Sequence, residues 1–180
     1  MTGLDKERTF KPVNISIVTV SDTRTLDSDK SGDVLEKRII EAGHKSMGRF
    51  IVKDVKNEIY KILSELVDKG EIDVVIATGG TGITGRDLTP EVFKDIIEKE
   101  IPGFGELFRW MSYKKIGTST IQSRAMAGVC KGTYLFSLPG SVGACKDAWD
   151  DILVYQLDYR YRPCNLVELM PRLREHEEDV

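Results

Sequence analysis

The chain has 180 residues, 41% of them hydrophobic and 31% charged, with a net charge of -3. This length supports one domain with a real core, and an acidic balance without a basic run argues against a nucleic-acid surface. Residues 1–8 are charged and carry no signal-peptide centre, no apolar run approaches membrane-spanning length, and Cys130, Cys145 and Cys164 lie too far apart for zinc spacing, so reduced thiols in a cytoplasmic protein are expected.

Residues 14–20 predict a buried strand, with Ile15, Ile17, Val18 and Val20 apolar and β-branched. A polar loop, Ser21, Asp22, Thr23 and Arg24, follows and runs on to Gly32. A helix is expected over 33–42, burying Val34, Leu35, Ile39 and Ile40 and stopping at Gly43. Residues 45–52 read as a second strand. Residues 55–69 form the clearest helix, with Ile59, Ile62, Leu63, Leu66 and Val67 at i, i+3, i+4, i+7 and i+8. Asp54 stands just before it and is well placed to cap it. The third strand covers 73–77. This β-α-β-α-β order predicts an α/β fold with a parallel sheet covered by helices on both faces.

The most informative stretch comes next. Gly79, Gly80, Gly82 and Gly85 place four glycines in seven residues, which lets the backbone turn sharply and bring its N–H groups close to a ligand. Thr81 and Thr84 add hydroxyls, and Asp87 adds a carboxylate. Backbone amides, hydroxyls and an acid suit a magnesium-bound phosphate ester. Residues 80–85 also match the dinucleotide fingerprint G-x-G-x-x-G. That fingerprint wants the first strand and a helix opening at the third glycine. Here the strand is the third, and Arg86, Asp87 and Leu88 intervene before the expected helix, with Thr89 as its cap and Pro90 at its first position. A nicotinamide-dependent oxidoreductase is therefore the weaker alternative.

That helix is expected to reach about Lys99, with 102–106 as a break and a further helix over 106–114. Residues 125–129 and 133–138 read as two strands around Lys131 and Gly132, and Pro139, Gly140 and Ser141 lead into a helix over 142–155 with Ala148, Trp149, Ile152 and Leu153 buried. From Arg172 onward the chain is charged and expected to fray. His44 and His176 are not placed for catalysis.

Ligands of open parallel sheets bind beyond the carboxyl ends of the strands. Three polar or glycine-rich loops leave such ends here: 21–24, the glycine loop and 138–141. Each member has a bland alternative. Ser141 can cap the following helix, Asp22 and Asp87 can hold turns, and Arg24 can be a solvated charge.

The combination of Gly79-Gly80-Thr81-Gly82, Arg86-Asp87-Leu88-Thr89-Pro90-Glu91, Val20-Ser21-Asp22-Thr23-Arg24, Pro102-Gly103-Phe104-Gly105-Glu106, Ser123-Arg124-Ala125 and Leu138-Pro139-Gly140-Ser141 resembles the molybdenum-cofactor biosynthesis proteins of the MoaB/Mog type, the MoaB branch more than the Mog branch, and the related G domain of gephyrin. The likeness spans about 13–157 of a single domain. It implies a three-layer α/β/α sandwich with a mostly parallel sheet, assembled as a trimer or hexamer. It also implies binding of molybdopterin and its adenylylation by Mg-ATP, ahead of hand-off to a metal-insertion enzyme, for molybdenum or tungsten. A non-catalytic molybdopterin-binding protein is the alternative. Family aspartates map onto Asp54 and Asp87, as catalytic residues and magnesium ligands. Ser21, Asp22, Gly79, Gly80, Thr81, Gly82, Thr84, Pro139, Gly140 and Ser141 are the expected substrate and phosphate contacts. Where many relatives carry a second proline after Pro139 and Gly140, this chain has Ser141 and Val142.

Overall fold

The structure, a computed structural model, describes residues 2–175. Its strands are β1 (Gly3–Leu4), β2 (Asn14–Val20), β3 (Lys45–Val52), β4 (Val74–Thr78), β5 (Lys99–Glu100), β6 (Met126–Cys130), β7 (Thr133–Leu138) and β8 (Tyr161–Arg162). Its main helices are α1 (Lys30–Glu41), α2 (Lys56–Asp68), α3 (Thr89–Ile96), α4 (Pro102–Ile116) and α5 (Val142–Ala148). The last continues through a π turn, Trp149–Leu153, to Gln156.

The central sheet has the order β3-β2-β4-β7-β6-β5. The first four strands run parallel, while β6 is antiparallel to both β7 and β5. Period-2 alternation sends side chains to two cores. Ile15, Ile17, Val74, Ile76 and Phe136 pack under α1, α4 and α5. Val18, Val20, Val75, Ala77 and Leu135 pack under α2 and α3 on the other face. The result is the expected three-layer α/β/α sandwich. No helix among the described residues is long and apolar enough to cross a membrane.

Several expected boundaries move, each for a local reason. Helix α1 starts at Lys30, because the Asp29 side chain accepts from the Gly32 N–H at 3.0 Å and caps it. Ile40 faces solvent. Helix α3 ends at Ile96, and Lys99–Glu100 joins the sheet edge as β5 instead of extending the helix. Helix α4 begins at Pro102, where the chain was expected to break: a proline at the first helical position loses no hydrogen bond. The domain also runs past residue 157. Val167 is buried in the first core, the Tyr134 hydroxyl donates to the Leu166 carbonyl at 3.0 Å, and β8 pairs with β1. Of the charged tail, Arg172 pairs with Glu175, while residues 176–180, His176 among them, lie outside the described residues.

Candidate active site

The sheet order reverses between β2 and β4, since the chain leaves β2 toward β3 on one side and β4 continues toward β7 on the other. Ligands favour such a switch point. Register puts Val20 beside Val52, Thr19 beside Thr78, and Thr78 beside Leu138. The loops leaving β2, β3, β4 and β7 therefore emerge together along one edge.

The glycine loop leaves β4 under tight backbone constraint. Gly79 has φ 101° and donates to the Leu138 carbonyl at 3.0 Å; a Cβ there would lie 2.2 Å from the Val20 carbonyl oxygen. Gly80 has φ 61°. Its carbonyl accepts from the Thr89 N–H at 3.0 Å, while the Thr89 hydroxyl donates to the Gly79 carbonyl at 2.8 Å. The N–H groups of Gly80 and Thr81 find no protein acceptor among the described residues. Arg124 grips the loop from behind, donating through Nε to the Gly82 carbonyl and through Nη2 to the Asp87 carbonyl, each at 2.6 Å, and pairing with Glu91.

Two carboxylates abut this loop two residues apart. A Cβ on Gly80 would lie 2.6 Å from Asp54 Oδ2, and one on Gly82 would lie 2.7 Å from Asp87 Oδ2. Asp54 is not the cap of α2. The helix starts at Lys56 with an extended Val55 before it, which leaves Asp54 one residue too early, and its Oδ1 accepts from the Leu88 N–H at 3.1 Å. Partial burial, and then the neighbouring Asp87 and Asp22 charges, push the Asp54 carboxyl above its ordinary range against the Leu88 hydrogen bond. At Asp87 desolvation also pushes upward. Bonds from the Thr84 hydroxyl at 2.6 Å and the Thr84 N–H at 2.8 Å, with help from Gly82 and Arg124, outweigh it and hold the carboxyl below its ordinary range.

A cleft of about 600 Å³ opens over the loop. Of the expected contacts, Gly79, Gly80, Thr81, Gly82, Asp87, Pro139, Gly140 and Ser141 line it. Ser21, Asp22, Asp54 and Thr84 do not. Ser21 Oγ accepts from the Thr23 and Arg24 N–H groups and shapes the turn. Asp22 accepts from Arg86 at 2.5 Å and from the Asp54 N–H at 3.3 Å, tying three loops together. Thr84 spends its hydroxyl on Asp87 and lines a smaller cavity of about 320 Å³, which Asp87 also borders. Ser141 does cap its helix, accepting from the Ala144 N–H at 3.1 Å, while still facing the cleft.

Other cleft residues escaped the sequence reading. Phe108, Ser112 and Ile116 of α4, with Ser119, Thr120 and Gln122 after it, form the far wall. Nothing in their spacing marks them, because their wall is assembled by the α4 crossover. Arg24 is no solvated charge, since it lines the cleft and donates to the Gly140 carbonyl at 3.1 Å. Cys145 is buried beneath, within 3.2 Å of the Thr78 hydroxyl, and burial pushes its thiol up to about 11, so it is a packing group. The dinucleotide alternative lacks its helix: α3 opens at Thr89, not at Gly85.

Known proteins share this fold. The family model described as "Probable molybdopterin binding domain" matches residues 16–159. The chain is 45% identical over 156 residues to molybdenum cofactor biosynthesis protein B of Escherichia coli (strain K12), covering 87% of this chain and 92% of that one. It is 42% identical over 146 residues to the "Probable molybdopterin adenylyltransferase" of Methanocaldococcus jannaschii, covering 77% and 86%. A crystal structure of a molybdenum cofactor biosynthesis protein B superposes with a TM-score of 0.84 at 41% identity, over 93% of this chain and 99% of that one. The chain thus belongs to the molybdopterin-binding-domain family that includes the molybdenum cofactor biosynthesis proteins B.

Proposed function

We propose that this protein activates molybdopterin by adenylylation. An oxygen of the molybdopterin terminal phosphate attacks the α-phosphorus of ATP, the bond from that phosphorus to the β-phosphate oxygen breaks, and pyrophosphate leaves. The observation that carries the reading is the loop itself: amides of Gly80 and Thr81 without protein acceptors, flanked by Asp54 and Asp87. The name of the archaeal relative supports it.

Catalysis in such a site is positioning and charge neutralisation. The Gly80 and Thr81 amides cradle phosphate while the Gly82 N–H supports Asp87, Ser141 and Gly140 border the same cleft, and Arg124 fixes the loop by binding the Gly82 and Asp87 carbonyls. The donor set fits a magnesium ion that arrives with the triphosphate. Among the described residues no three His, Cys, Asp or Glu side chains form a metal cluster, and magnesium is commonly held by one or two carboxylates together with substrate phosphates and water. Asp87 and Asp54 would hold it, and there it would neutralise phosphate charge. The Asp54 carboxyl, raised by burial and then by the Asp87 and Asp22 charges, would be relieved by a cation beside it.

The working form is a cytoplasmic trimer or hexamer. The exposed apolar side chains of α4, Leu107, Trp110, Tyr113 and Ile116, support that assembly. The adenylylated product would pass to a metal-insertion enzyme.

The test is pyrophosphate release from Mg-ATP with and without molybdopterin, with mass detection of the product. Product dependent on molybdopterin and magnesium supports the transferase. Tight molybdopterin binding without product favours a carrier. Asp87→Asn should lower turnover at least a hundredfold with an unchanged circular dichroism spectrum, and substantial retained activity would remove Asp87 from the mechanism.

A further inference from the structure

Arg24 is the cationic side chain among the described residues that line the cleft; the acidic side chains there are Asp87 and Asp147. The geometry points to Arg24 as the donor to a phosphate oxygen of the substrate lying along Pro139, Gly140 and Ser141, and to Asp29 as the positioning residue that holds Arg24 for it. This rests on the reading that the cleft takes phosphorylated ligands.

Arg24 is anchored on the protein side. Its Nη1 donates to Ser31 Oγ at 3.0 Å and lies 3.4 Å from Asp29 Oδ1, and its Nη2 donates to the Gly140 carbonyl at 3.1 Å. A guanidinium has five N–H donors. These contacts engage three, so Nε and the second Nη2 hydrogen remain for a ligand. The side chain keeps 33% of its surface exposed, which leaves that edge reachable. An arginine fixed in one plane loses little further entropy when it binds an anion.

Asp29 is built for more than capping. Its side chain is 1% exposed. It accepts from the Thr19 hydroxyl at 2.7 Å, the Gly32 N–H at 3.0 Å and Arg49 Nη2 at 3.1 Å. Burial pushes its carboxyl upward, and these bonds more than reverse that, so it is ionised. A neutral asparagine would cap α1 equally well. Arg49 already meets Asp33 at 2.5 Å and Glu36 at 3.5 Å, so the Asp29 charge is not needed there alone. What the charge adds is a fixed partner for Arg24. Ser31 completes the brace by donating to the Gly140 carbonyl at 2.9 Å. The loop after β7, the start of α1 and Arg24 are thereby locked as one wall, with Gly140 packed against Gly79 of the glycine loop.

The experiment measures binding of Mg-ATP and of molybdopterin separately by calorimetry, and turnover, on the full chain. Arg24→Gln should weaken one of the two ligands at least tenfold, and the ligand affected identifies whose phosphate lies there. Arg24→Lys should recover only part of this, because an ammonium cannot bridge Ser31, Gly140 and a phosphate together. Asp29→Asn should raise KM for the same substrate three- to tenfold with a smaller change in kcat. If Asp29→Asn fails to fold, Ser31→Ala, which removes another Arg24 anchor, should shift the same KM in the same direction. Folded Arg24→Gln protein that binds both ligands within twofold of wild type overturns the assignment alone. Wild-type protein that binds neither ligand overturns the proposed function with it.

Discussion

His44 is a buried imidazole outside the site, and it makes stability depend on pH. Its Nδ1 accepts from the Val13 N–H at 3.3 Å, and its ring sits between Phe10 and Trp149. Burial lowers its pKa to about 4 against a weaker upward pull from Asp158. The folded value therefore lies below the unfolded value of 6.5. Above the unfolded value both states hold a neutral ring and nothing is lost. As pH falls from there to the folded value the unfolded chain takes up the proton first, and stability declines by up to about 3 kcal/mol at roughly 1.4 kcal/mol per pKa unit. Urea unfolding across that window should show this slope in the wild type and a flatter one in His44→Asn; identical slopes would remove His44 as the cause. The same residue-scale physics explains what sequence could and could not tell. Ser141 as a helix cap was legible, since it stands just before the expected helix and accepts from the Ala144 N–H. Asp54 was misjudged as a cap, because whether an aspartate stands at the cap or one residue before it depends on where the chain turns after β3. Arg124 was given no role because its partners Gly82, Asp87 and Glu91 lie far away in the chain, and Asp29 none because its cap depends on α1 starting three residues before the expected position.

At the scale of elements, the glycine loop makes a paired prediction. Gly79 combines φ 101° with a hypothetical Cβ 2.2 Å from a backbone oxygen of Val20, a contact that can be relieved only by separating the ends of β2 and β4. Gly85, six residues on, has nothing within 4 Å. Gly79→Ala should therefore cost at least about 2 kcal/mol, lowering Tm by roughly 4–8 °C in a domain of this size, and should abolish ligand binding. Gly85→Ala should leave Tm within about 1 °C by the same scale. Equal effects at the two positions would mean that the loop is more plastic than its contacts imply. The strands and α2 were readable because period-2 and period-3.6 patterns encode burial directly. The boundaries that moved were those set by single contacts: the Asp29 cap of α1, Pro102 at the start of α4, and the pairing of Lys99–Glu100 with Gly128 and Val129.

For the whole molecule, the informative anomaly is α4. Phe104 and Phe108 bury one face of it in the first core. Leu107, Trp110 and Tyr113, three residues apart, present a second apolar face to solvent, with the Lys114 ammonium 3.7 Å above the Trp110 ring. A helix apolar on two sides needs something on both, and the trimer proposed above supplies a second copy. The same helix carries Ser112 and Ile116 into the cleft wall, so assembly and site shape share one element. The double substitution Trp110→Glu with Tyr113→Glu removes no core side chain, since both residues are exposed. It should leave the circular dichroism spectrum intact and convert the assembly to monomers by light scattering. Because the wall would then lose its support, substrate binding should weaken as the monomer forms. A trimer that persists through the double substitution would place the contact between copies on another face and leave the second apolar side of α4 for a different partner.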